Sequence, residues 1–257
     1  NGVCDGKKIL LSPEWVGDEA VMMAEKLKNV PILTGPDRFQ TGRYALKNYE
    51  IDTLILDDGF QHLALCRDLD ILLCDHQRPL GNNHLFPAGE LREPASETRR
   101  ADMVCFTRYS GGGIKFSPKF LSSIPQIKTH LRLDSIINME NGDVCDAEVL
   151  KCQPVIAFCG IANPEGFRQI LQDVQVQLKM FKAFPDHHEY SLNDIKELES
   201  IASQEGVKFI LVSEKDAVKL KNMKLSRPFF KVVIDLEILE GREIFNKKIT
   251  TTSRGDN

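Results

Sequence analysis

The chain has 257 residues, 42% of them hydrophobic and 27% charged, which is the composition of an ordinary globular protein of one large or two modest domains. A net charge of -4 argues against nucleic acid as a partner. No apolar run approaches the length of about 18 residues that a membrane-spanning helix requires, and no signal-peptide pattern opens the chain. Seven cysteines form no CxxC pair. Cys74, Cys105 and Cys159 sit within apolar runs, where they read as small core residues rather than as disulfide partners or zinc ligands.

Along the chain, short aliphatic runs alternate with amphipathic stretches. Strands are predicted at 30–35, 52–58, 68–75, 101–106, 154–160 and 207–213, each rich in Ile, Leu or Val and bounded by Gly, Asp or Pro. Helices are predicted around 17–28, 38–49, 164–173 and 191–205. Pro164 opens one and Ser191 to Asp194 reads as a capping signal for another. This alternation predicts an α/β fold, a mostly parallel sheet with helices on both faces. Residues 128–151 differ: loose alternation about Asn141-Gly142 predicts a β-hairpin. The expected organisation is a first α/β domain over 1–130, a hairpin linker over 131–152, and a second, smaller α/β domain over 153–257. The tail KKITTTSRGDN lacks core residues and is expected to fray.

Four stretches carry candidate chemistry. Asp57-Asp58-Gly59 follows the run DTLIL, placing carboxylates at the carboxyl edge of a sheet, where such folds bind ligands and magnesium. Phe60, Gln61 and His62 follow directly. Gly17-Asp18-Glu19 opens a helix, where two acids suit the dipole and by themselves imply no more than that. The segment FPDHHEY (184–190) sets two histidines beside acids, a pattern suited to general-base work; adjacent histidines point apart and make a poor zinc site. The segment 75–94 is a long loop with Arg78, His84 and Arg92 for anionic groups and Leu80, Leu85, Phe86 and Leu91 for lipid or packing. The basic run Arg67, Arg78, Arg92, Arg99, Arg100 and Arg108 reads mainly as a solvated surface.

Taken together, DDGFQHLALCRDLDILLCD, QRPLGNNHLFPAGELREP and RRADMV closely resemble the central signature of the tetraacyldisaccharide 4'-kinases. The order VGDEA, TGPDR, DDGFQH, PAGELREP, FCGIANPEGF, FPDHHEY and SEKDAVKL extends the resemblance over about residues 12 to 235. It implies a P-loop kinase that moves the γ-phosphate of ATP, with Mg2+, to the 4'-hydroxyl of a lipid A disaccharide precursor at a membrane surface. By the matching motifs, Asp18 would be the catalytic acid that pairs with His187 and activates the sugar hydroxyl. Glu19, Asp57 and Asp58 would serve the metal and nucleotide, and Gln61, His62, Arg78 and Arg92 the substrate or phosphate. The resemblance leaves open whether His187 or His188 is the catalytic histidine. It also implies a peripheral membrane protein, expected as a monomer. Its place would be the cytoplasmic face of the inner membrane if bacterial, or the mitochondrion if from a plant.

The chain departs from this pattern at one point. The family's GxxxxGK[ST] loop should stand some tens of residues before Gly17, but only sixteen residues precede it. Gly2-Val3-Cys4-Asp5-Gly6-Lys7-Lys8 is one residue short between its glycines and lacks the Ser or Thr, and Ser110 to Lys115 also fails. The expectation is a kinase segment without its phosphate cradle, with apolar sheet surface exposed and with little or no activity. The alternatives are a non-catalytic acylated-sugar-binding protein derived from such a kinase, and an unrelated NTPase with another nucleotide site.

Overall fold

In the computed structural model, residues 2–109, 111, 121–221 and 223–253 are described. Chain segments 1–49 and 132–235 form one compact unit, and 50–131 and 236–257 form another.

The first unit begins with β1 (Gly2–Asp5), α1 (Pro13–Val16), α2 (Asp18–Lys26), β2 (Pro31–Leu33) and α3 (Arg38–Asn48), with β1 and β2 paired antiparallel. Gly17, at φ 88°, caps the start of α2 without a side-chain bond, whereas Asp37 caps α3 by accepting from the Gln40 N–H. The second unit follows with β3 (Ile71–Asp75) and β4 (Met103–Thr107), which pair in parallel, and β4 also pairs in parallel with the start of β5 (Gln126–Asn138). The chain re-enters the first unit along β5, which turns at Asn141-Gly142 and pairs antiparallel with β6 (Val144–Asp146). Next come β7 (Pro154–Cys159), α4 (Pro164–Asp173), β8 (Gln177–Ala183), α5 (Leu192–Gln204), β9 (Phe209–Ser213) and α6 (Glu214–Leu220). Strand β10 (Phe229–Glu240) then leaves for α7 (Arg242–Ser253). Strands β10, β9, β7 and β8 lie side by side and parallel in that order, as strand–helix–strand crossovers require.

Aliphatic runs became strands wherever both faces are covered. Val155 to Cys159 and Ile210 to Ser213 are buried throughout. Phe158, with no exposed surface, meets Phe184, Tyr190 and Phe229 edge-on at centroid separations of 6.2, 5.4 and 5.9 Å. Burial and the nearby Asp216 carboxylate push the Cys159 thiol up to about 12, so it packs as an inert core group. Helix α5 carries the predicted signal as a full capping box, with Ser191 and Asp194 bonding each other's backbone N–H. Asp194 Oδ2 also lies 3.3 Å from His188 Nε2. The Ser191 backbone N–H, and then the Ser191 hydroxyl and His188, hold its carboxyl below the usual range against the opposing effect of burial.

Four expectations need correction. Residues 52–58 form no strand, and Leu54 and Ile55 are exposed; a strand needs a neighbour for its backbone groups, and none of the described strands pairs with this run. The tail does not fray from Lys247 onward, because α7 extends to Ser253; Phe245 packs it against Met103, Cys105 and Ile127. The division at 130 and 153 differs from the compact units, because 1–49 packs with 132–235: Val3, Ala20 and Val21 share a cluster with Val218. The hairpin is accordingly an integral part of that unit, and β5 is far longer than the loose alternation suggests. The segment 110–115, apart from Gly111, and the last four residues lie outside the described residues. Among the described residues, no helix is long and apolar enough to cross a membrane.

Phe158→Ala is expected to cost about 3–5 kcal/mol, read as a lower urea midpoint by circular dichroism. Asp194 supplies a second test. Its folded-state pKa is depressed, so its contribution is complete above the ordinary value of 3.8 and is lost as pH falls through the folded value. The urea midpoints of the wild type and Asp194→Asn are therefore expected to differ at neutral pH and to converge only once the pH drops below that range. A gap independent of pH would count against the ion pair.

Candidate active site

In the first unit, the predicted catalytic residues meet around α6. Helix α6 is capped by Ser213, which accepts from the Asp216 N–H. Asp216 has no exposed surface; its Oδ2 accepts from Ser213 Oγ at 2.5 Å and from the Gly160 N–H at 2.8 Å. The Gly160 carbonyl, in the next peptide unit, accepts from the His187 N–H at 3.2 Å. A Cβ on Gly160 would lie 3.0 Å from Pro185 O and 3.2 Å from Asp216 Oδ1 and His188 Cβ, so a larger residue there would make the 185–188 turn give by a few tenths of an ångström. His187 itself sits at φ 59°, a conformation that costs of order 1 kcal/mol and recurs at functional sites. Asp186 Oδ1 also accepts its N–H, at 3.0 Å.

This frame points the two histidines apart. His187 Nδ1 is 3.5 Å from Asp18 Oδ2. His188 instead stacks on Phe184 at 4.5 Å and faces Asp194, while its carbonyl accepts from Lys219 Nζ. The geometry selects His187 as the partner of Asp18 and gives His188 a packing role.

Two cations that sequence reasoning passed over complete the cluster. Lys215 and Lys219 lie four apart in SEKDAVKL, so both ammonium groups fall on one face of α6. That spacing was the available signal. Lys219 Nζ is 3.1 Å from Asp18 Oδ2, with both side chains 13% exposed, and 3.9 Å from Asp216 Oδ1. Lys215 Nζ is 3.3 Å from each of Glu19 Oε1, Asp186 Oδ1 and His187 Nε2. Burial lowers the pKa of Lys215, but Asp186 and Glu19 outweigh it and raise the net value. Burial likewise raises Asp186, yet Lys215 and His187 hold it below the usual carboxylate range. Asp18 and Glu19 are thus more than dipole partners of α2: each is bound to a lysine of α6.

In the second unit, the predicted residues form a separate, exposed chain. Asp58, at φ 49°, accepts from Arg92 Nη1 at 2.9 Å. Gln61 Nε2 donates to Glu93 Oε1 at 3.0 Å, and Glu93 in turn receives Arg100 at 2.9 Å on both oxygens. His62 enters through its carbonyl, which accepts from Arg67 at 2.6 Å. Arg78 stands apart with Glu90 at 3.6 Å. The basic run is therefore not simply solvated: Arg67, Arg78, Arg92, Arg100 and Arg108 each pair with a carboxylate.

Among the described residues, no group of three His, Cys, Asp or Glu side chains is poised to hold a metal. Magnesium does not need one. It keeps several waters and takes one or two carboxylates together with phosphate oxygens. The adjacent exposed carboxylates Asp57 and Asp58 fit that requirement.

The family model for tetraacyldisaccharide-1-P 4'-kinase matches residues 3–253. A tetraacyldisaccharide 4'-kinase of Syntrophus aciditrophicus is 38% identical over 252 residues, covering 93% of this chain and 67% of that protein. The one from Geobacter sulfurreducens is 37% identical over 240 residues, covering 93% and 66%. The crystal structure titled as the "apo" form of LpxK from Aquifex aeolicus in complex with ATP superposes with a TM-score of 0.77 at 31% identity, covering 98% of this chain and 74% of that one. The chain spans about two thirds of the length of the curated relatives it matches. With the family model matched over nearly its whole length, the chain belongs to the tetraacyldisaccharide-1-P 4'-kinase family.

Proposed function

We propose that this chain supplies the acceptor-activating machinery of an ATP-dependent kinase that phosphorylates the 4'-hydroxyl of a lipid A disaccharide precursor. The observation that carries this reading is the state of Asp18. Its Oδ2 is anchored by Lys219 at 3.1 Å and lies within reach of His187 Nδ1 at 3.5 Å. A carboxylate fixed in place between a cation and an imidazole is suited to accept a proton from a hydroxyl. Asp18 takes the hydroxyl proton as the sugar oxygen forms its bond to the γ-phosphorus and the bond from that phosphorus to ADP breaks. The 3.5 Å approach to His187 is long for a hydrogen bond, as catalytic contacts often are before substrate arrives.

Asp57 and Asp58 are the residues that would hold magnesium, which would supply charge neutralisation to the phosphates; Glu19, paired with Lys215 in the first unit, carries a metal or nucleotide role by the resemblance alone. Arg92, Arg78, Gln61 and His62 are the groups for phosphate or sugar. The Arg92–Asp58 pair is exposed on both sides, at 68% and 65%, so little energy opposes its exchange for a phosphate. An acylated sugar presents its hydroxyl at a lipid surface, and the exposed Trp15 (79%) and Phe86 (81%) are apolar groups suited to such a surface. We place the enzyme peripherally on the membrane, at the cytoplasmic face of the inner membrane in a bacterium.

The test is phosphate transfer from radiolabelled ATP to a tetraacylated disaccharide 1-phosphate. It compares the 257-residue chain with a polypeptide that adds a GxxxxGK[ST] segment upstream. The extended form is expected to transfer phosphate and the 257 residues alone to be inactive. Asp18→Asn should lower the extended form's turnover by about 10²–10⁴-fold. Turnover near the wild-type rate in Asp18→Asn would remove Asp18 as the base. Disaccharide binding without transfer by either form would favour a sugar-binding protein.

A further inference from the structure

Lys215 lies on the side of His187 opposite Asp18, and its chemistry constrains that imidazole. A lysine ammonium has three donors and no acceptor. Its Nζ is 3.3 Å from His187 Nε2, so a charged Lys215 makes Nε2 the lone-pair nitrogen and leaves the ring proton on Nδ1. Nδ1 is the nitrogen that faces Asp18 Oδ2. Lys215 is itself pinned from two sides, by Glu19 of α2 and by Asp186 of the histidine's own turn, and its side chain is only 12% exposed.

One competing contact has to be weighed. Asp186 Oδ2 lies 3.7 Å from Nε2 and, as an acceptor, would favour a proton there. It is farther than Lys215, and Asp186 is already engaged by the same lysine through Oδ1 at 3.3 Å. The charged groups facing the ring are thus Asp18 from α2, Lys215 from α6 and Asp186 from the turn, with Glu19 and Lys219 behind them. The β7–α4 turn contributes only the Gly160 carbonyl, to the His187 backbone.

We infer that Lys215 is a positioning residue that fixes His187 as the neutral Nδ1–H tautomer, so that the imidazole donates to Asp18 rather than competing with it for the substrate proton. The inference rests on the kinase reading for its purpose, not for its geometry. It divides the labour within the pair: Asp18 is the proton acceptor, and His187 orients it and stabilises its carboxylate. Without Lys215, the neutral ring would be free to carry its proton on Nε2, presenting a lone pair to Asp18 and repelling it.

Nitrogen-15 spectra of imidazole-labelled protein separate the two tautomers, and His187→Gln assigns the signal among the six histidines. At alkaline pH, where free imidazole is neutral, the wild type is expected to show Nδ1–H at His187. Lys215→Met should shift the signal towards Nε2–H, with the other five histidine signals unmoved, and Lys215→Arg, which keeps a cationic donor, should restore Nδ1–H. A wild-type Nε2–H signal, or Nδ1–H persisting in Lys215→Met, overturns the inference. The wild-type spectrum decides the matter even if the methionine variant fails to fold. In the transfer assay, Lys215→Met is expected to lower kcat by about tenfold with the KM for ATP little changed. A tautomer shift with no change in kcat would leave the Lys215 assignment standing and count against a role for His187 in the reaction.

Discussion

A carboxylate with no exposed surface survives in a protein interior only when hydrogen bonds replace its water, and Asp216 is the point from which the site is organised. Its Oδ2 gathers the Gly160 N–H from the end of β7 and the Ser213 hydroxyl from the end of β9. One side chain thereby ties two adjacent parallel strands at their carboxyl ends to the start of α6. Gly160, held through its N–H, presents the carbonyl of its following peptide to the His187 N–H. The unusual backbone of His187, its orientation towards Asp18 and the separation of the two histidines all follow from that anchor. Tyr190 feels the same carboxylate: burial first, and then Asp216, raise the pKa of its phenol and keep it neutral.

Around the anchor, charge is layered by exposure. Lys219 bridges Asp18 and the edge of Asp216 within a largely buried layer, and Lys215 gathers Glu19, Asp186 and His187 further out. Ion pairs in such settings are expensive to break by removing one member, because the survivor stays desolvated. The second unit follows the opposite principle. Its Asp58–Arg92 and Arg78–Glu90 pairs are exposed and individually weak, while the Arg100 fork on Glu93, stacked over Phe60 at 4.6 Å, is the firmer support behind them. The two sets differ in kind: the Asp18–Lys219 pair is largely buried, whereas the Asp58–Arg92 and Arg78–Glu90 pairs are exposed and readily exchanged.

Much of the fold was legible because buried parallel strands advertise themselves. ILLCD, MVCFT, PVIAFC and FILVS are continuous aliphatic runs, and each is a strand. Strand β8, QLKMFKA, was missed because it is the outermost of its parallel set; its lysines interrupt the pattern, as they commonly do on edges. Strand β10 carries acids within its length, and its second half runs into the other unit, so no single face repeats along it. The run 52–58 has the composition of a strand without a pairing partner among the described residues, a property that no local window can reveal. In the site, Asp18 and His187 were ambiguous from local pattern alone and gained roles only through the resemblance. Lys215 and Lys219 were visible as a spacing, but nothing local said which carboxylates that helix face would meet.

The first unit is discontinuous in the chain: residues 50–131 are threaded between its two parts. During synthesis from the amino terminus, Asp18 emerges with α2 long before Lys215 and Lys219 exist to meet it. Val3, Ala20 and Val21 likewise wait for Val218 before their cluster can close. The entropy of closing so long a loop grows only slowly with its length, so the delay costs time rather than stability. In that interval the early helices have apolar faces and no partner, the condition under which nascent chains associate wrongly or recruit chaperones. The ion pairs of Asp18 with Lys219 and of Glu19 with Lys215 thus form only after residues 50–131 and the second part of the first unit have been made.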